Sequence, residues 1–130
     1  MIYVFESAAL LQLLDGAAMD AGRLLARAQL DALSAGDLLA TLKTRAVAPD
    51  EVEAVFARLD IEVAPVDWSL IRVHATLIER LAPVQLELPA QFALALAQTR
   101  RGTLVCATPA LADAATRMRV RTTDGTMRDA

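Results

Sequence analysis

Cysteine, histidine, glycine and aromatic residues are all scarce in this chain, and each scarcity removes a class of chemistry. Cys106 is the single cysteine, which excludes an internal disulfide and a multi-cysteine metal site and fits a reducing, cytoplasmic compartment. His74 is the single histidine. It falls on an apolar helical face with no second imidazole to join it, so it reads as a core or interface side chain, and no Ser-His-Asp set is signalled. The glycines, Gly16, Gly22, Gly36, Gly102 and Gly125, are scattered, so neither a P-loop nor a dinucleotide-binding turn is present. Aromatic residues make up 4%, which leaves few rings for stacking on bases. Tyr3, Phe5, Phe56, Trp68 and Phe92 lie in apolar patterns or at a helix start, which predicts packing roles. No apolar run is long enough to span a bilayer: Leu88 to Thr99 is too short and carries Pro89 and Gln91. The first residues carry no basic region ahead of their apolar run, so they do not read as a signal peptide.

What is abundant is aliphatic surface. The chain has 130 residues, enough for one domain with a real core. Hydrophobic residues make up 55% and the mean hydropathy is +0.39, which predicts that a second copy covers part of the helical surface. The faces expected to be buried are residues 38–59 or the long helix containing His74. The net charge of −3 gives no general attraction to nucleic acid, although a local basic patch stays open.

The first eleven residues organise the rest. Ile2, Tyr3, Val4 and Phe5 form a short β-rich run without alternation, which predicts a central parallel strand covered on both faces. Glu6 follows at its carboxyl end, where ligands gather in open α/β sheets. It reads either as the first member of a metal or active site or as an anion favoured by the next helix N-terminus. A first helix is predicted from Ser7 to Asp15 with Gly16 closing it, and a second from Asp20 to Gln29. A short strand is expected at Ala32 to Ser34, then a third helix capped by Ser34 or Asp37 and ending near Arg45 with Lys43 in its last turn. Pro49, Asp50 and Glu51 open a fourth helix whose core stripe is Val52, Val55, Phe56 and Leu59. Ile61 to Val66 reads as a strand and Asp67 as the cap of a helix to Leu81, with Leu70, Ile71, Val73, Leu77, Ile78 and Leu81 on its broad apolar face. After an extended Val84 to Leu88, Pro89 opens a helix that closes at Arg100, Arg101 and Gly102. Thr103 to Cys106 is a strand, Pro109 to Ala115 a helix, and Met118 to Thr122 a last strand. Residues 124–130 form a flexible tail. Strands separated by helices imply right-handed crossovers, hence an α/β domain over residues 1–123 with a mainly parallel five-stranded sheet and helices on both faces.

Three strings in this order resemble the PIN-domain family, in particular its small VapC-type toxin ribonucleases. Met1-Ile-Tyr-Val-Phe-Glu-Ser-Ala-Ala-Leu-Leu11 resembles the opening strand and helix. Leu86-Glu-Leu-Pro-Ala-Gln-Phe-Ala-Leu-Ala-Leu-Ala97 resembles a helix that normally starts with a catalytic Asp, and Leu104-Val-Cys-Ala-Thr-Pro-Ala-Leu111 a strand and turn that normally present a Thr and another Asp. The likeness runs from about Met1 to Thr122. It implies a cluster of carboxylates holding Mg²⁺ or Mn²⁺ at the carboxyl end of the sheet, where the ion activates water and neutralises phosphoryl charge.

The departures from that pattern are in the cluster itself. Glu6 stands at the first acidic position, one methylene longer than the usual Asp, and Ala8 replaces a small hydroxyl residue two places on. Ala40, Ala90 and Thr108 occupy the other three acidic positions, and Cys106 takes the usual Thr. Asp37, Glu87 and Asp113 lie close enough in sequence to be substitutes, but read more readily as a helix-start residue and two solvated acids. Arg117, Arg119 and Arg121 alternate with Met118 and Val120. On a strand they would make one charged face, either protecting an edge strand or contacting phosphate or an acidic partner. The resemblance with its acids missing implies a non-catalytic, cofactor-free protein that binds or regulates, with an antitoxin-like protein among the implied partners and RNA the less specified one. The alternative is a divergent Mg²⁺- or Mn²⁺-dependent ribonuclease built on Glu6.

Overall fold

A computed structural model describes residues 1–16, 26–81 and 85–124. The chain is an α/β domain in which strand β1, Tyr3–Phe5, is central, as its sequence predicts. Helix α1 (Ser7–Leu14) follows, then β2 (Ala28–Asp31), α2 (Ala32–Thr44), α3 (Pro49–Leu59), β3 (Glu62–Ala64) and α4 (Trp68–Leu81). The remaining elements are α5 (Leu88–Arg100), β4 (Thr103–Val105), α6 (Pro109–Arg117) and β5 (Thr122–Thr123). The sheet order is β3-β2-β1-β4-β5, and every neighbouring pair is parallel.

Side chains of β1 alternate between two cores, because successive residues of a strand point to opposite faces. Tyr3 and Phe5 pack with Leu10, Leu30, Leu38, Phe56 and Val105. Val4 packs on the other face with Leu77, Leu94, Leu104 and Leu111. Covering both faces is what makes the strand's four-residue apolar run stable in the middle of a sheet. Helix α5 lies against the second face, and Phe92 through Ala97 are all buried. The small residues Ala93, Ala95 and Ala97 let it sit close to the strands.

Local signals explain most boundaries. Gly16 adopts φ 76° just past α1, in its predicted closing role. Pro49 sits in the first turn of α3, and Asp67 Oδ1 accepts from Leu70 N at 3.0 Å at the start of α4. Gly102 is required where β4 meets β1, since a Cβ there would lie 2.9 Å from the Ile2 carbonyl oxygen.

Four expectations are corrected. The second strand is Ala28–Asp31, not Ala32 to Ser34, so Ala28 and Gln29 belong to it rather than to a preceding helix and residues 26–27 form a turn; residues 20–25 of that predicted helix lie outside the described residues. The cap of α2 is Asp31, whose carboxylate accepts from Ser34 N, so neither Ser34 nor Asp37 caps it. The last strand is Thr122–Thr123, because Arg117 still belongs to α6 and Arg119 turns at φ 60°. Trp68, expected to pack, is 74% exposed at the first position of α4. Of the expected extended Val84 to Leu88, Val84 lies outside the described residues and Leu88 already belongs to α5; of the tail, residues 125–130 lie outside.

Candidate functional site

In a parallel sheet every strand ends at the same side, and Glu6, Asp31 and the turn before α6 therefore meet the carboxyl end together. Glu6 directly follows β1 and is 6% exposed. It is the N-cap residue of α1, yet its side chain makes no bond to that helix. The carboxylate reaches across to the next strand's exit: Oε1 accepts from Ala107 N at 2.7 Å and Thr108 N at 3.2 Å, and Oε2 accepts from Thr108 Oγ1 at 2.9 Å. Thr108 is the N-cap of α6. The anion thus sits at a helix N-terminus, where the dipole favours it, but the helix is α6 rather than α1.

Of the candidate site residues, Glu6 and Thr108 are brought into contact. Asp37, in the second turn of α2, accepts from Ser7 Oγ at 2.6 Å and so ties α2 to the start of α1. Ala40 is exposed on α2 and Ala90 half-buried on α5. Glu87 is the exposed N-cap residue of α5 with no capping side-chain bond. Asp113 is exposed on α6. None of these makes a hydrogen bond to Glu6.

Asp31 and Ser34 are the site residues that sequence reasoning missed. Asp31 is wholly buried. Its Oδ1 accepts from Ser34 Oγ at 2.6 Å and its Oδ2 from Ser34 N at 3.0 Å, while the same hydroxyl lies 3.1 Å from the Pro89 carbonyl. The hydroxyl has one hydrogen and two acceptors within reach. Burial pushes the Asp31 carboxyl above its ordinary value, against the opposing effect of the Ser34 hydroxyl and N–H. The available signal was the string Asp31-Ala-Leu-Ser34, a capping residue with a hydroxyl three places on, hidden by extending a helix through Gln29. Cys106, buried beside Glu6, has its thiol pushed up to about 12, first by burial and second by the Glu6 charge.

The donor set does not fit a hard divalent cation. Such an ion wants several oxygens converging from carboxylates and water. Here Glu6, Asp31 and Asp37 each turn to a different internal donor. Among the described residues, no three His, Cys, Asp or Glu side chains are grouped so that they could hold a metal ion. His74 is also engaged: Nε2 lies 2.8 Å from Gln91 Oε1, and the ring stacks on Phe92 at 4.1 Å.

The arginines lie apart from this cleft. Arg117 ends α6, Arg119 is in the following turn and Arg121 precedes β5; all three are exposed, and they do not share a strand face. No helix among the described residues is long and apolar enough to cross a membrane. Comparison with known proteins finds no protein-family model that matches the chain and no curated protein similar to it.

Proposed function

We propose that this chain is a degenerate PIN-like domain, of the architecture used by VapC-type ribonucleases, that works by binding a partner rather than by cleaving RNA. The observation that carries the reading is the engagement of Glu6. A carboxylate poised for a metal presents free oxygen lone pairs to the cleft. Here both oxygens already accept hydrogen bonds, from Ala107 N, Thr108 N and Thr108 Oγ1, so the one retained acid fastens the β4–α6 turn to β1. The acid has become a structural fastener, and Thr108, standing at a vacated acidic position, supplies half of the fastening.

The parallel sheet with β1 central and acids at its carboxyl end is consistent with descent from a nuclease arrangement, and the apolar pattern of β1, α5 and β4 supports retention of the fold for its own sake. Such a domain acts through its surface, as a regulatory or structural partner of a protein or nucleic acid. The apolar cavity beside α3, about 410 Å³ and lined by Leu39, Pro49, Ala57 and the exposed Val63 of the edge strand, offers a surface for self-association.

The test is thermal melting with and without millimolar Mn²⁺, beside an RNA cleavage assay. A ligand that binds only the native state at about 100 times its Kd stabilises by roughly 2.7 kcal/mol. The expected outcome is no metal-dependent rise in melting temperature and no cleavage. Metal-dependent cleavage by the unaltered chain, abolished by Glu6→Ala, would establish the divergent ribonuclease instead.

A further inference from the structure

The net charge of −3 conceals a local cluster of arginines. Residues 98–124 contain Arg100, Arg101, Arg117, Arg119 and Arg121 against Asp113 and Asp124. Two adjoining cavities open beside some of them. One, of about 410 Å³, lies between α4 and α5 and is lined by Arg72, Arg80, Val73 and Leu77. The other, of about 340 Å³, is lined by Arg101, Arg119, Arg121 and Val120. Gln98 and Met118 line both, so the two cavities adjoin, and together they are called the groove.

The groove is remote from the Glu6 cleft. Its second half is built from residues just before β4 and β5, together with Met1 before β1. Strand starts lie at the amino end of a parallel sheet, opposite the carboxyl end where Glu6 sits. Binding here is therefore independent of whether Glu6 is a fastener or a ligand.

The chemistry of the groove is selective. All five lining arginines are exposed, and among the described residues no carboxylate lines either cavity. Between the arginines the floor is aliphatic, made of Val73, Leu77, Met118 and Val120. A nucleic-acid groove wants aromatic platforms for bases, and no aromatic side chain lines either cavity. An apolar floor with a guanidinium rim instead matches a polypeptide that alternates aliphatic anchors with carboxylates, held by forked charge-assisted hydrogen bonds at its edges. We propose that this groove is a docking site for an acidic amphipathic peptide segment of a partner protein.

The experiment is fluorescence anisotropy on the intact chain. The probe is a labelled peptide of about 14 residues, four helical turns, with Leu at i, i+3, i+4 and i+7 spacing and Glu elsewhere. A second peptide carries Lys in place of Glu, and a short single-stranded oligouridine serves as the nucleic-acid arm. The acidic peptide should bind, more weakly as salt rises, and the Lys peptide should not. Arg72→Glu and Arg121→Glu, one in each half of the groove, should each weaken binding by about tenfold. Arg72→Lys, which keeps the charge and loses the fork, should weaken it less, and Arg58→Glu on the far edge should leave it unchanged. These arginines are exposed, and matching melting curves will show that the variants remain folded. Oligouridine bound more tightly than the acidic peptide would overturn the assignment in favour of nucleic acid. Self-association abolished by Arg72→Glu would give the groove to a second copy, and equal binding of the Glu and Lys peptides, or none, would remove it altogether.

Discussion

Replacing Glu6 by alanine should unfold the protein at a markedly lower temperature, and the geometry sets the size of the effect. The carboxylate accepts three hydrogen bonds, from Ala107 N, Thr108 N and Thr108 Oγ1. Ala107 is half-buried, so its N–H loses its partner where water reaches it poorly, whereas the exposed Thr108 can rehydrate both of its groups. A stranded buried donor costs about 1–3 kcal/mol, and each rehydrated bond about 0.5–1.5 kcal/mol. Allowing for the water that enters the space left by the side chain, Glu6→Ala should cost about 2–4 kcal/mol. For a domain of this size that corresponds to a fall in Tm of roughly 10 °C. Glu6→Gln separates charge from hydrogen bonding. Its amide oxygen can still accept from both backbone N–H groups, and its NH2 can donate to Thr108 Oγ1, so the loss is the charge assistance, about 1 kcal/mol. The assay is denaturant and thermal unfolding of the three proteins without metal. Equal stability of the unaltered chain and Glu6→Ala would refute the fastener. So would a Gln variant as unstable as the Ala variant, since the hydrogen bonds would then not be the source of the stabilisation.

Three further outcomes are expected. Gly102→Ala places a Cβ 2.9 Å from the Ile2 carbonyl oxygen, which also accepts from Thr103 N at 2.9 Å; backbone must shift at the β1–β4 junction, so the urea midpoint should fall by an amount equivalent to about 1–3 kcal/mol. Cys106, buried and with its thiol pushed up to about 12, should resist alkylation at neutral pH in the folded chain and react once denaturant opens it, as mass spectrometry of labelled protein will show. Asp31 has its folded-state carboxyl raised above the ordinary 3.8 by burial, so its favourable protonated state is fully available below that pH and its contribution is lost as pH rises through the folded-state value. Asn keeps an oxygen to cap Ser34 N; Asp31→Asn should therefore gain stability relative to the unaltered chain as pH climbs from 3 to 7, and a constant difference across that range would contradict the buried-acid account.

The architecture was legible where local chemistry and tertiary packing agree. Ile2 to Phe5 is apolar without alternation, and β1 is covered on both faces by separate cores. Pro49 and Asp67 start helices where their backbone chemistry says they should. Reading failed between Gln29 and Ser34, where Ala28-Gln-Leu-Asp31 has the composition of a helix and becomes a strand because β1 and β3 flank it on both sides. Parallel pairing is a long-range constraint, and Ala, Gln, Leu and Asp carry no β preference of their own. The same misplacement hid Asp31, whose burial depends on that register. At the other edge, the alternation of Arg117, Met118, Arg119, Val120 and Arg121 imitates a strand, but Arg119 takes a left-handed turn. Val120 is buried there all the same, so period-two burial arose from a turn and not from a strand.

Glu6 shows why residue type and position underdetermine a site even when both are read correctly. Its place at the carboxyl end of the central strand was plain, and two roles followed from it: a ligand in a cleft or an anion beside α1. The observed role is a third: the carboxylate spans from β1 to the exit of β4. That reach matters only if the β4 exit presents donors, and it does so because Ala107 and Thr108 leave the strand with both N–H groups turned toward β1. An Asp at position 108 would set a second negative charge against Glu6, at the cost of the 2.9 Å bond from the Thr108 hydroxyl. Glu6 and Thr108 are therefore best understood as one coupled pair. A double-mutant cycle with Glu6→Ala and Thr108→Val should give a coupling energy of about 1 kcal/mol, and strict additivity would show that the two residues stabilise the turn independently.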